Sequence, residues 1–143
     1  MIYFDTAYLV KCYINEDGSN AVRSLARRHG RIACCEFGRL ELHAAFHRNF
    51  RDGMIDRAYL DVVTMQFEVD EQDHLWYWLP LTRDIMGAVI EAFQTLPSNV
   101  YLRTADAIHL CCAREHELQE IHTNDTHLLH AAQHFDLVGK NVI

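Results

Sequence analysis

The sequence predicts an α/β fold: one three-layer αβα sandwich around a central, mainly parallel five-stranded sheet. Three observations support this. Met1-Ile2-Tyr3-Phe4 is a run of four bulky apolar residues, too short for a helix and suited to a strand buried on both faces. Asp5 ends that run and a helix-like stretch follows, as at the carboxyl ends of parallel strands where α/β proteins gather ligands. Strand-like and helix-like segments then alternate along all 143 residues.

The elements follow in order. Thr6 to about Tyr13 reads as a short helix with Leu9 and Cys12 or Tyr13 inward, and Asn15-Glu16-Asp17-Gly18-Ser19 as a turn. Ser19 is placed to cap a helix through His29, where Ala21, Val22, Leu25 and Ala26 form one stripe and Gly30 closes it. Arg31 to Cys35 reads as a second strand. Glu36 to about Phe50 reads as a helix with Phe37, Leu40, Ala44 and Ala45 spaced for the core. A helix from Met54 to about Val69 carries Ile55, Ala58, Tyr59, Val62, Val63 and Phe67; the polar run to His74 either prolongs it or forms a loop.

Leu75 to Leu81 is aromatic-rich and contains Pro80, which suits a short strand. Thr82 caps a helix through about Phe93, and Leu96-Pro97-Ser98-Asn99 ends it. Thr104 to about His116 is strongly helical. Glu120 to Thr123 reads as a strand, Asp125 to His134 as a helix, and Phe135 to Val138 as the last strand. There is no internal repeat, and residues 1–143 read as one domain large enough for a core without staples.

Composition narrows the class. Half the residues are hydrophobic, which excludes a disordered chain. No apolar run approaches the ~18 residues of a membrane span, and no signal peptide is expected. Five cysteines in an odd count, two adjacent pairs among them, suit neither a zinc cage nor a disulfide framework; buried free thiols in a reducing cytoplasm are expected. The formal charge of −7 argues against a protein that merely coats nucleic acid. It leaves open an enzyme whose acids hold a metal, because the bound ion restores positive potential locally.

Four acids stand at strand-end or helix-start boundaries: Asp5, Glu41, Asp106 and Asp125. Joined as parallel βα units, these boundaries fall on one rim of the sheet. Clustered carboxylates repel one another, and a hard cation such as Mg2+ or Mn2+ is the ordinary remedy. Such an ion can activate water and neutralise charge on a phosphate. Thr6, Thr104, Thr123 and Asn124 add neutral polar groups for outer-shell water or substrate. Plainer roles exist for each acid: Asp125 can cap a helix, Asp5 likewise, Asp106 can favour a helix dipole, and Glu41 can lie on a solvated face.

The stretch Phe4-Asp5-Thr6-Ala7-Tyr8-Leu9-Val10-Lys11-Cys12-Tyr13, with Glu16 and Gly18-Ser19, resembles the start of PIN-domain proteins, and in particular VapC-type ribonuclease toxins. Leu40-Glu41-Leu42 with Ala44-Ala45 is similar to the family's second segment. Leu102-Arg103-Thr104-Ala105-Asp106-Ala107-Ile108-His109-Leu110 is similar to the third, and Thr123-Asn124-Asp125 with Leu128-Leu129 and Ala131-Ala132 to the fourth. The resemblance implies strand order 3-2-1-4-5 and an acidic set of Asp5, Glu41, Asp106 and Asp125 binding Mg2+ or Mn2+ for RNA cleavage, with Thr6 as the hydroxyl beside the first acid. It also implies a cognate small antitoxin and a homodimer. Ala7, where many members carry serine, and the aromatic Trp76-Tyr77-Trp78 depart from the pattern. Glu36 competes with Glu41 for the second acid, and the Leu40-Glu41-Leu42 context favours Glu41.

Other constellations are weaker. His43 with His47 and His130 with His134 lie four apart, but no Glu falls between them as a zinc-protease helix requires. His109, three beyond Asp106, either contacts phosphate or holds the acid in place. Trp76-Tyr77-Trp78 suits core packing or a subunit interface better than base stacking. Beside the ribonuclease toxin stand two alternatives, an RNA-processing nuclease outside a toxin system and a scaffold whose acids are only caps.

Overall fold

A computed structural model describes residues 1–143. Its five strands, β1 (Ile2–Phe4), β2 (Ile32–Cys35), β3 (Trp76–Leu79), β4 (Glu120–His122) and β5 (Val138–Lys140), lie in the order β3-β2-β1-β4-β5. Every pairing is parallel, with Tyr3 opposite Ala33 on one side and Ile121 on the other. β1 is therefore central. It and β2 are buried at every residue, because helices cover both faces of the sheet.

The helices are α1 (Thr6–Tyr13), α2 (Ser19–His29), α3 (Glu36–Arg51), α4 (Arg57–Gln72), α5 (Arg83–Thr95), α6 (Thr104–Glu115) and α7 (Thr126–Ala131). Thr82 caps α5 by accepting from the Ile85 N–H, as its position suggests. Ser19 does not cap α2: it is the first helical residue, and its hydroxyl instead closes the preceding turn onto Glu16 N and the Ile14 carbonyl.

Three boundaries move. α4 begins at Arg57 rather than Met54, because Asp56 caps it through the Tyr59 N–H, and the polar run prolongs it to Gln72. The helix expected to reach His134 ends at Ala131 and tightens into a 3-10 turn, Ala132–Phe135. The last strand shifts to Val138–Lys140, since Phe135 and Leu137 plug the core while Asp136 takes a left-handed turn conformation at φ 57°.

The aromatic run resolves as core. Trp76 is buried, and its indole N–H donates to Tyr13 Oη at 2.6 Å, which donates to Asp70 at 2.7 Å. Trp78 donates to Glu71, and Tyr77 faces out beneath the Arg31 guanidinium. The five cysteines are free, four of them buried. Burial pushes the Cys111 thiol up to about 11 and the Cys12 thiol up to about 12, so both stay protonated near neutrality. No helix is long and apolar enough to cross a membrane.

Candidate active site

Parallel strands place their carboxyl ends on one edge, and four side chains from that edge meet there. Asp5 follows β1, Asp125 follows β4, and Glu41 lies in the second turn of α3, which follows β2. α6 descends to the start of β4, so its first turn, with Asp106, returns to the same edge. All four line one cleft of ≈ 310 Å³, together with Thr6, His109, Arg48 and Arg103. Glu36 is exposed and lines no part of it.

The capping roles are real and coexist with the cleft. Asp5 Oδ1 accepts from Tyr8 N at 2.9 Å, while Oδ2 accepts from the Thr123 hydroxyl. Asp125 Oδ1 caps α7 through His127 N and Leu128 N, while Oδ2 faces Arg103 at 2.7 Å. Each cap uses one carboxylate oxygen and leaves the other for the site. Thr123 links the two acids, since its oxygen also accepts from Asp125 N at 2.9 Å.

Arg103 is the counter-ion of the far side. Its guanidinium grips Asp106 through Nε at 2.8 Å and Nη2 at 3.2 Å, and Nη2 also reaches Asp125. This offsets the repulsion between those two acids. Glu41 is held differently: Oε2 accepts from Thr6 Oγ1 at 2.6 Å and pairs with His109 Nε2 at 2.9 Å. His109 Nδ1 meets Tyr3 Oη at 2.7 Å, and that oxygen accepts from Cys35 N at 3.0 Å. A chain of contacts thus runs from the buried strand backbone to the Glu41 carboxylate.

Charges follow this arrangement. Burial drives the Asp5 carboxyl up to about 6, only partly opposed by the Thr123 hydrogen bond and His109, because no arginine or lysine pairs with it. Burial also works against charge on Glu41, but the His109 and Thr6 contacts outweigh it and hold that carboxyl below its ordinary value. Burial likewise opposes charge on His109, and hydrogen bonds to Cys34 and Glu41 overcome it, so its pKa lies well above that of a free imidazole. The Cys34 thiol is itself pushed up by burial, and Glu41 is the carboxylate that faces His109 Nε2. His109 therefore orients Glu41.

No three His, Cys, Asp or Glu side chains are disposed as they stand to hold a metal ion. The donor chemistry nevertheless fits a hard divalent cation. The cleft offers only carboxylate and hydroxyl oxygens beside its cations, and the buried Asp5 carboxylate, with free lone pairs, lacks a cationic partner. Thr104 and Asn124, both exposed, lie outside the cleft lining.

Arg103, Arg48 and Tyr3 were not singled out from the sequence. Arg103 had a readable signal, standing three residues before Asp106 at a helix start; the bond from Tyr3 to His109 spans 106 positions and had none. Gly38 is a further silent residue. A Cβ there would lie 2.5 Å from Cys34 Sγ, 3.0 Å from His109 Cε1 and 3.3 Å from Thr6 Oγ1. Gly38→Ala should thus cost about 2 kcal/mol of stability, despite alanine's helix propensity, and loosen the Glu41 support. Urea unfolding of the two proteins checks this; an unchanged midpoint would contradict the close packing.

The PIN domain family model matches residues 2–133. The chain belongs to the PIN domain family. Two solved structures share this PIN fold. VapBC2 from Rickettsia felis, bound to a DNA fragment from its promoter, has a TM-score of 0.69 and 13% sequence identity, covering 99% of this chain and 98% of that one. A toxin–antitoxin complex from Klebsiella pneumoniae has a TM-score of 0.62 and 16% identity, with 90% of each chain covered. At these identities the likeness is one of fold. No curated protein sequence matches this PIN domain.

Proposed function

We propose that this PIN-domain protein is a Mg2+- or Mn2+-dependent endoribonuclease, the toxin of a VapBC-type pair. The observation that carries the reading is the convergence of Asp5, Glu41, Asp106 and Asp125 from four separate segments into one cleft, with Asp5 buried and lacking a cationic partner. Asp5 and Asp106 would hold the ion, with Glu41 and Asp125 beside it. When bound, a divalent ion supplies activated water and neutralises charge on the scissile phosphate. The chain's own residues prepare the ground for that chemistry. Thr6 and His109 fix the Glu41 carboxylate, Thr123 fixes Asp5, and Arg103 keeps Asp106 and Asp125 together against their repulsion.

The fold likeness to two toxin–antitoxin proteins supports a small antitoxin partner whose tail occupies this cleft. The test is digestion of total cellular RNA by the purified chain with Mg2+ or Mn2+, and again with excess chelator. Cleavage with metal and none with chelator is expected. Cleavage that survives chelator removes the mechanism, and no cleavage together with no saturable Mg2+ binding favours a scaffold.

The homodimer is part of the same proposal. Val62, Met65 and Val69 on α4 stand 42–60% exposed, and Leu40 on α3 is 67% exposed, although Leu40 and the likewise exposed Ala44 were expected in the core. The buried positions are instead Leu42, Ala45 and Phe46 on α3, and Val63 and Phe67 on α4. Sedimentation equilibrium at tens of micromolar should give twice the mass of one chain. A monomer would refute the dimer.

A further inference from the structure

The two adjacent cysteine pairs of the sequence have no part in the site described above, and the fold brings them together. Cys34 and Cys35 end β2, while Cys111 and Cys112 lie on α6, which packs against that strand. One member of each pair meets the other. The Cys112 thiol donates a hydrogen bond to the Cys35 sulfur, and both side chains are buried. The backbone fixes the same approach independently of the sulfurs. Cys35 N donates to Tyr3 Oη at 3.0 Å, and that oxygen meets His109 Nδ1 at 2.7 Å. Cys112 stands three residues beyond His109, on the same face of α6. Cys111 takes no part, since its charged neighbours are Arg114 and Glu115.

The pair has the two properties of a thiol redox couple. Cys35 is the N-cap of α3, where sixteen residues of helix favour negative charge. The bond from Cys112 draws the Cys35 thiol down to about 7, against the cost of burial. The same bond, together with burial, pushes the Cys112 thiol up. One sulfur is thus a nucleophile near neutrality, and the other is a resolving thiol beside it. The pair lies one residue below the surface, because Glu36 is exposed.

We infer that Cys35 and Cys112 form a peroxide-sensitive switch, closing to a disulfide that displaces His109 and slackens its hold on Glu41. The oxidant is a hydroperoxide. The Cys35 thiolate attacks its terminal oxygen, the O–O bond breaks, and the leaving oxygen takes a proton, giving a sulfenic acid on Cys35. The Cys112 sulfur then attacks the Cys35 sulfur. An S–S bond forms, the S–O bond breaks, and the departing hydroxide takes the Cys112 proton as water. With hydrogen peroxide, two electrons pass from two thiols to one oxidant, which leaves as two waters. Bond formation shortens the sulfur contact to about 2.05 Å, so the end of β2 is drawn toward α6 one turn from His109. A displacement of about 1 Å in a group that positions reacting atoms costs about 100-fold in rate. The free thiols are the reduced, active form.

The effect on activity rests on the ribonuclease reading, but the bridge does not, and the test separates them. The wild-type chain, Cys35→Ser, Cys112→Ser and Cys111→Ser are treated with hydrogen peroxide and freed of it. Each is divided between intact-mass analysis after alkylation and RNA cleavage with Mg2+. Wild-type and Cys111→Ser proteins should lose the mass of two hydrogen atoms, with one proteolytic peptide joined through positions 35 and 112. Their cleavage should fall at least about tenfold and recover with dithiothreitol. Neither of the other serine variants should bridge or respond reversibly, and Cys112→Ser should stop at a sulfenic acid that dimedone captures.

No bridge in the wild-type chain overturns the inference and leaves the ribonuclease reading intact. A bridge that leaves cleavage unchanged overturns the switch. An equal, reversible loss of cleavage in Cys35→Ser and Cys112→Ser places the effect elsewhere and likewise overturns it. A bridge in a chain that never cleaves RNA, even when reduced, supports the thiol chemistry and removes the ribonuclease reading.

Discussion

Asp5→Asn and Asp106→Asn should each lower Mg2+-dependent RNA cleavage by about 100- to 1,000-fold, the scale expected when one electrostatic group is removed from a site that stabilises charge. Asparagine nearly preserves the shape and, at position 5, the cap on Tyr8 N, so the loss is one of charge rather than of fold. Glu41→Gln should fall in the same direction, since it keeps the Thr6 contact but loses the ion pair with His109. Glu36→Gln, exposed and outside the cleft, should cleave as the parent does. Cleavage assays at matched concentration and fixed Mg2+ make the comparison. Equal loss in the Glu36 variant would mean that the wrong acids have been chosen, and undiminished cleavage in the Asp5 variant would remove the metal mechanism.

The order in which the chain could be read reflects which forces act locally. β1 was legible because four apolar residues in a row ending in an acid are too few for a helix, and the burial of Ile2–Phe4 on both faces follows from that composition. The cap of α5 was legible because a threonine at a helix start acts within three residues. Faces of α3 and α4 were not. Leu40 and Val62 have helical spacing and apolar side chains, yet which of several such stripes meets the sheet is decided by packing between distant segments.

The site divides the same way. Each acid announces itself at a boundary, whereas its support does not. Tyr3 reads as one more buried strand residue, and its bond to His109 exists only once β1 and α6 are packed. Gly38 reads as a flaw in a helix, and its reason appears only when Cys34, His109 and Thr6 close around it. Arg103 is intermediate, because one of its two acids is three residues away and the other twenty-two.

Asp5→Asn should also stabilise the metal-free fold, by an amount that depends on pH. Burial holds the folded Asp5 carboxyl at about 6, against an ordinary value of 3.8. A carboxyl raised on folding binds its proton more tightly in the native state. Its contribution is therefore fully present below pH 3.8 and is lost as pH rises through about 6. By pH 7 that loss is on the order of 3 kcal/mol, and asparagine, which cannot ionise, escapes it. The variant gives back about 1 kcal/mol because the Thr123 hydroxyl loses a charged acceptor. A net gain of about 2 kcal/mol is thus expected at pH 7 in chelator, shrinking to nothing or slightly below near pH 4. Other titrating pairs, such as His109 with Glu41, are present in both proteins, so the difference between them isolates Asp5. Urea midpoints from pH 4 to pH 8 give the curve, and added Mg2+ should stabilise the parent while leaving the variant nearly unmoved. A variant less stable than the parent at pH 7 in chelator would mean that Asp5 is no strained buried charge, and the case for a cation beside it would lose its main physical support.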